Sequence, residues 1–347
     1  MQELRTVDAR RSELVQRLFP DGIPRLWCPP LTHFRAPGVL DQERISQHLH
    51  RIRPFVKGIL VPGSTGEGWE MNDAQVRELL SVVLDVTRAS GIHVLVGVLK
   101  TETQAMLDLI QSVCTWLMER SGAADIDEAL TAAGVVGFTV CPPRGADLTQ
   151  DEIYTALARI LGLKLPVALY QLPQITQNEM SPETVARLVC EFPNLFMLKD
   201  TSGQDRIALS DAALGNLFLV RGAEGGYSQW VKSGGGPYDG FLLSTANVMA
   251  PNLHQVLRLL DEGRSRDAEI ESQRISRTID RSFRAAGSVG AGNVFTNANK
   301  AIDHVLVHGA AACGTECPLL VSGVRLPESV IREIAAIVAE ERIADSA

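Results

Sequence analysis

Short apolar runs rich in β-branched residues recur along the chain: 26–31 "LWCPPL", 56–61 "VKGILV", 92–98 "IHVLVGV", 135–141 "VVGFTVC", 166–170 "PVALY", 195–199 "LFMLK", 217–222 "LFLVRG" and 239–243 "DGFLL". Their apolarity is nearly continuous rather than alternating, as in parallel strands covered on both faces. The intervening segments have helical spacing. In 72–90, Val76, Leu79, Leu80, Val83 and Leu84 recur at three and four residues, and Gly91 follows as a stop. Asn72 with Gln75, Thr101 with Gln104, and Thr149 with Glu152 have the capping-box spacing, and Ser181-Pro182 offers a cap with Pro at the first helical position.

Eight strand candidates, each followed by a helix candidate within 26–262, predict an α/β fold, a (β/α)₈ TIM barrel. A doubly wound open sheet is the alternative, but no G-x-G-x-x-G follows the first strand. The expected organisation is an N-terminal helical extension (1–24), a catalytic barrel (25–262) and a C-terminal helical extension (263–347) with helices at 265–285, 293–309 and 328–342. Segment 101–133 is long and interrupted by "SGAADID", so 115–133 reads as an insertion on the surface.

Composition narrows the functional classes. With 347 residues, 45% apolar and 21% charged, the chain can bury a large core. A net charge of −8 with scattered basic residues excludes the electrostatic footprint of a nucleic-acid binder. The first residues lack an apolar leader core and no run of 18 apolar residues occurs, so no membrane role and a cytoplasmic location are expected. The six cysteines are dispersed apart from "CGTEC" (313–317), which lacks a second ligand pair. His304 and His308 stand four apart on a predicted helix without the acid of an HExxH pattern, and no metal is expected.

In such a barrel the chemistry sits at the C-terminal ends of the strands. Three ends stand out: "PGSTGEGWE" (62–70), "YQLPQIT" (170–176) and Lys199, one of only six lysines among 33 basic residues. Glycines around Ser64 and Thr65 allow a tight turn whose N–H groups and hydroxyls form a concavity suited to a carboxylate. Burying the Lys199 ammonium at the end of an apolar strand favours the neutral amine, which attacks a ketone to give a Schiff base. The competing reading is a lysine paired with Asp200 at the rim. Tyr170 ends the neighbouring strand, about 5 Å away, and its phenol can carry protons.

"GILVPGSTGEGWEM", "VALYQLPQIT", "FMLKDTSG" and "GFLLSTANVMAP" occur in this order, and over residues 25–310 the chain resembles the dihydrodipicolinate synthase / N-acetylneuraminate lyase superfamily of pyruvate-dependent class I aldolases. The resemblance implies a barrel without metal or organic cofactor that assembles as a homo-oligomer, a tetramer or dimer. It implies Lys199 as the Schiff-base lysine, Tyr170 as the proton-transfer phenol, and Ser64 and Thr65 as holders of the pyruvyl carboxylate. Gly222, Glu224 and Ser244 correspond to pocket-lining positions of the lyase branch. Synthases of the family carry an arginine where Ile175 stands and a tyrosine after the fourth strand, where this chain has "CPPRG". The expected activity is therefore cleavage or dehydration of a 2-keto acid of the deoxy-sugar-acid or sialic-acid kind, with Arg144, Glu67 and Trp69 either as candidates for selecting its tail or as structural rim residues. Alternatives are condensation of pyruvate with an aldehyde, or a ligand-binding protein without catalysis. Lys100, which ends the third strand, is the rival amine.

Overall fold

Each apolar run forms a strand because its side chains are buried on both faces. A computed structural model describes residues 2–88, 90–341 and 343. The strands are β1 (Leu26–Cys28), β2 (Phe34–Ala36), β3 (Val39–Leu40), β4 (Gly58–Val61), β5 (His93–Val98), β6 (Val135–Val140), β7 (Val167–Gln171), β8 (Leu195–Asp200), β9 (Phe218–Arg221) and β10 (Gly240–Leu242). In β4, β6, β7 and β8 every residue is buried. The hydrogen-bonded order β1-β10-β9-β8-β7-β6-β5-β4 closes an eight-stranded barrel, while β2 and β3 form a separate hairpin. The expected TIM barrel is thus the fold, with strands one to three residues shorter than some of the apolar runs.

The described residues fall into two compact units, one drawn from Met1–Arg25, His93–Ala223 and Pro237–Phe241, the other from Leu26–Ile92, Glu224–Gly236 and Leu242–Ala347. In the first, helix Gln2–Leu18 reaches the base of β8 through Arg11, which is fully buried. Its guanidinium donates to the carbonyls of Leu195 (2.6 Å), Val189 (2.5 Å) and Phe192 (3.3 Å), and to Asp8 and Asn216. One side chain therefore ties the last turn of helix Pro182–Glu191 and the start of β8 to the extension.

Helix starts follow the local signals where an acceptor side chain sits at the right step. Capping boxes close at Asn72/Gln75 and Thr149/Glu152, and Ser181 caps the Thr184 N–H. The box expected at Thr101/Gln104 does not form. That helix begins at Thr103 after Glu102 with no side-chain cap, and Gln104 donates to Asp108 instead. "SGAADID" ends helix Thr103–Ser121 and lets Asp125 cap a second one, Ile126–Ala133. Helix Asp73–Thr87 stops before Gly91, which turns the chain into β5 at φ +68°. In the second unit, helices Ser265–Ala286, Val294–His308 and Glu328–Glu340 form the C-terminal helical region.

Candidate active site

Parallel register sets Tyr170 of β7 opposite Lys199 of β8. Lys199 is only 4% exposed, and its Nζ lies 4.0 Å from the centre of the Tyr170 ring. Among the described residues no carboxylate pairs with it. The expected rival pairing with Asp200 fails because successive strand residues face opposite ways. Asp200 accepts instead from the Ser202 N–H (2.8 Å) and lies beside Tyr238, whose hydroxyl donates to Asp205 (2.6 Å). Arg221 grips Asp205 with two donors at 3.0 and 3.1 Å. Burial pushes the Asp200 carboxyl up, against the Ser202 bonds, and the Asp205 charge adds to the rise.

Gly222 leaves the room that the lysine occupies: a Cβ there would overlap Thr201 Oγ1 and stand 2.8 Å from Lys199 Cε. The buried Thr201 hydroxyl finds no hydrogen-bond partner among the described residues, and neither does that of Thr139 on β6. Neither hydroxyl was singled out in the sequence. Cys141 follows β6, and burial pushes its thiol up to about 12 against the pull of the Lys199 charge, so it is no thiolate nucleophile. Arg144 is exposed on the next loop, which Asn178 pins by donating to the carbonyls of Pro143 (2.8 Å) and Gly145 (2.9 Å). Lys100 and Ile175 are half-buried.

In the other unit, β4 runs into the "PGSTGEG" loop. Gly63 and Gly66 are required by close approach: a Cβ would stand 2.5 Å from Pro29 Cβ at the first and 2.6 Å from the Pro30 carbonyl at the second. The left-handed residue is Glu67, at φ +62°. N–H groups of Gly66, Glu67 and Gly68 are spent on the carbonyls of Gly63 and Ser64. The Thr65 N–H and hydroxyl, by contrast, have no hydrogen-bond partner among the described residues, although Thr65 is 5% exposed. Trp69 Nε1 donates to Ser64 Oγ (2.9 Å). Of the two readings of Glu67, its burial and its ion pair with Lys300 favour the structural one. Glu224 and Ser244 come together, since the Glu224 carboxylate accepts from Ser244 Oγ (2.7 Å), the Thr245 N–H (3.1 Å) and the Tyr227 hydroxyl (2.9 Å). Burial, with the Glu224 charge, holds the Tyr227 phenol well above its usual range, so it stays a donor.

One cluster has metal-like spacing. His33, His48 and Asp303 offer ligand atoms within 4.8 Å of one another. Asp303 pairs with Arg44 and Arg51 and meets His48 Nδ1 (3.0 Å), His48 Nε2 meets Asn247 Oδ1 (2.8 Å), and the buried His33 Nε2 has no hydrogen-bond partner among the described residues. Asn247 is oriented by donating to the carbonyls of Pro29 and Ser244, both at 2.9 Å. The cluster is an ion-pair hub. His304 and His308 share a helix face, with rings 4.5 Å apart, and His304 bonds the Ala312 carbonyl (2.9 Å). Among the described residues no helix is long and apolar enough to cross a membrane.

The chain is 28% identical to a 4-hydroxy-tetrahydrodipicolinate synthase of Hyphomonas neptunium (strain ATCC 15444) over 263 residues, 74% of this chain and 79% of the relative. It is 29% identical over 175 residues to a probable 2-dehydro-3-deoxy-D-pentonate aldolase of Escherichia coli (strain K12), 50% of this chain and 52% of that one. An E. coli K12 prophage protein of the dihydrodipicolinic acid synthase family, solved in complex with pyruvate, matches with a TM-score of 0.72 at 17% identity, covering 93% of this chain and 100% of that one. A variant of the Sulfolobus solfataricus 2-keto-3-deoxygluconate aldolase gives 0.68 at 15% identity, covering 92% and 96%. At these identities the solved structures speak for the fold alone. Because the model of the Dihydrodipicolinate synthetase family matches residues 23–291, well over half of the sequence, the chain belongs to that family of lyases and aldolases.

Proposed function

We propose that the protein is a Schiff-base-forming class I aldolase, or dehydratase, acting on a 2-keto acid such as a 2-keto-3-deoxy sugar acid. The observation that carries this reading is the Lys199 amine, 4% exposed at a strand end, over the Tyr170 ring and without a carboxylate partner among the described residues. The amine adds to the C2 ketone, and loss of water from the carbinolamine leaves an iminium. That cation draws in the electrons of the C3–C4 bond as it breaks, so an aldehyde leaves and an enamine of pyruvate remains. Tyr170 takes the proton from the C4 hydroxyl and returns one to C3, after which water releases pyruvate and the free lysine.

Ser64 and Thr65 receive the carboxylate in this proposal, its donors being the Thr65 N–H and hydroxyl, which no group among the described residues claims. Gly222 keeps the path of the lysine clear. Arg144, exposed on the loop after β6, is the cation that selects the tail. Glu224 and Ser244 line the pocket as a mutually bonded pair. The same proposal includes assembly as a homo-oligomer, tetramer or dimer, which light scattering measures.

Incubation with pyruvate followed by borohydride and peptide mass mapping tests the core of the reading: a pyruvyl adduct on Lys199 is expected, an adduct on Lys100 moves the nucleophile, and no adduct sinks it. Pyruvate release and water loss from a panel of 2-keto-3-deoxy sugar acids then separate cleavage from dehydration. Condensation of pyruvate with aspartate semialdehyde is the second reading. It is favoured by relatives named 4-hydroxy-tetrahydrodipicolinate synthase and opposed by Ile175 at the arginine position. Turnover of that aldehyde in a coupled assay would establish it.

A further inference from the structure

The 63–68 loop is held from outside by a part of the chain more than two hundred residues away, with sequence separations of 229 to 254. Glu67 sits in the left-handed region at φ +62°, which a non-glycine residue rarely adopts. Its carboxylate is buried, takes the Lys300 ammonium, and accepts from the Val321 N–H (2.8 Å). Lys300, itself buried, also donates to the Leu319 carbonyl (2.8 Å). At the start of helix Val294–His308, Asn293 Nδ2 donates to the Ser64 carbonyl (3.3 Å), and Thr296 Oγ1 donates to the carbonyls of Thr65 (3.0 Å) and Ser64 (3.5 Å).

The Ser64 carbonyl and the Thr65 N–H belong to one peptide group, which is planar and places the two bonds on opposite sides. Fixing the carbonyl from behind therefore aims the N–H forward. Each bond accepted by that oxygen also polarises the N–H and makes it the stronger donor. We infer that Asn293, Thr296 and Lys300 are positioning residues for the carboxylate seat at Thr65, so that the C-terminal helical region sets the affinity for the keto acid without touching it. This inference rests on the reading that Ser64 and Thr65 receive the carboxylate.

Two variants of the full chain test it. Thr296→Val keeps the shape and removes the hydroxyl donor. Asn293→Asp keeps the acceptor that caps the Thr296 N–H (2.8 Å) and removes the donor to Ser64. The reading is the ketone concentration that half-saturates borohydride trapping at Lys199, measured for pyruvate and for hydroxyacetone, a ketone without a carboxylate. The pyruvate value is expected to rise about tenfold in each variant, the worth of one hydrogen bond. Thr296→Ser should restore it, and the hydroxyacetone value should move by less than about twofold, because that ketone lacks the group the seat holds. An unchanged pyruvate value in both variants, beside normal trapping in the wild type, overturns the positioning role alone. Equal weakening for both ketones overturns it too, since it marks a general loss of structure. A wild-type Lys199 that pyruvate never modifies overturns the seat and the proposed chemistry together.

Discussion

A single missing atom can decide whether the amine has room to act. Placing a Cβ on Gly222 would force Lys199 Cε away from 2.8 Å and overlap Thr201 Oγ1, and small misplacements of a reacting group are expensive. Gly222→Ala is expected to slow keto-acid turnover on the order of 10²-fold with little change in melting temperature, read from steady-state rates beside a thermal scan. Tyr170→Phe keeps the ring beneath the Lys199 amine and removes only the hydroxyl proposed to carry protons. Its kcat should fall by about 10²–10⁴-fold while slow trapping of pyruvate at Lys199 persists; an unaltered kcat would take the phenol out of the mechanism. The strand ends that carry Lys199 and Tyr170 were legible in the sequence because a strand end is a local pattern, an apolar run followed by small and polar residues, whereas Gly222 was singled out only through the family resemblance. The role of Glu67 stayed open in the sequence because its contact is not local. Its partner Lys300 lies 233 residues on, and a buried ion pair leaves no periodic trace in either segment.

At the level of elements, near-continuous apolar runs revealed the barrel strands, and polar side chains at a three-residue step revealed the starts of helices Asp73–Thr87 and Gln150–Leu161, since both depend on neighbours in sequence. The Thr101/Gln104 spacing misled because Gln104 finds an acceptor four residues on, at Asp108 (2.8 Å), and the helix begins two residues after Thr101. Arg11 was illegible: in "VDARRSEL" it is one of two arginines, yet it alone is fully buried, and apart from Asp8 its partners lie 178 to 205 positions away. Burial pushes its guanidinium below its usual range, with Asp8 opposing. Arg11→Met would leave the carbonyls of Leu195 and Val189 and the Asp8 carboxylate without that donor. A cost of roughly 3 kcal/mol is expected, measurable as a lower urea midpoint at unchanged slope. Arg10→Met, on a neighbouring exposed residue, should move the midpoint by less than about 0.5 kcal/mol.

For the whole molecule, buried histidines and the Asp303 hub predict how stability responds to acid. His33 is held well below the usual imidazole range because burial outweighs the attraction of Asp303, with the charges of His48, Arg44 and Lys300 adding to the fall. Burial lowers His93 and His304 as well, against the Asp21 charge and the Ala312 hydrogen bond respectively. The unfolded chain therefore binds protons near pH 6.5 that the folded chain refuses, and the stability these groups contribute is complete above that value. It is lost as pH falls below about 6.5, at up to about 1.4 kcal/mol per pH unit for each histidine, until the folded ring itself titrates. Asp303 contributes at lower pH. Burial alone would raise its carboxyl, but the His48 hydrogen bond and the charges of His48, His33 and Arg51 hold it well below the usual carboxylate range. Its contribution is present above the unfolded value of about 3.9 and disappears as pH falls through the folded one. Glu70 and Asp200, raised chiefly by burial, act in the opposite sense and soften the decline between these stages. Urea unfolding from pH 8 to pH 3.5 should thus show a plateau, a decline beginning near pH 6.5, and a steeper loss near pH 4. His33→Gln should flatten the first decline. Asp303→Asn should cost roughly 3 kcal/mol at pH 7 by leaving Arg44 and Arg51 without their carboxylate, and should remove the last stage. A wild-type profile that stays level between pH 7 and pH 5 would mean that these rings accept protons in the folded chain as readily as in water.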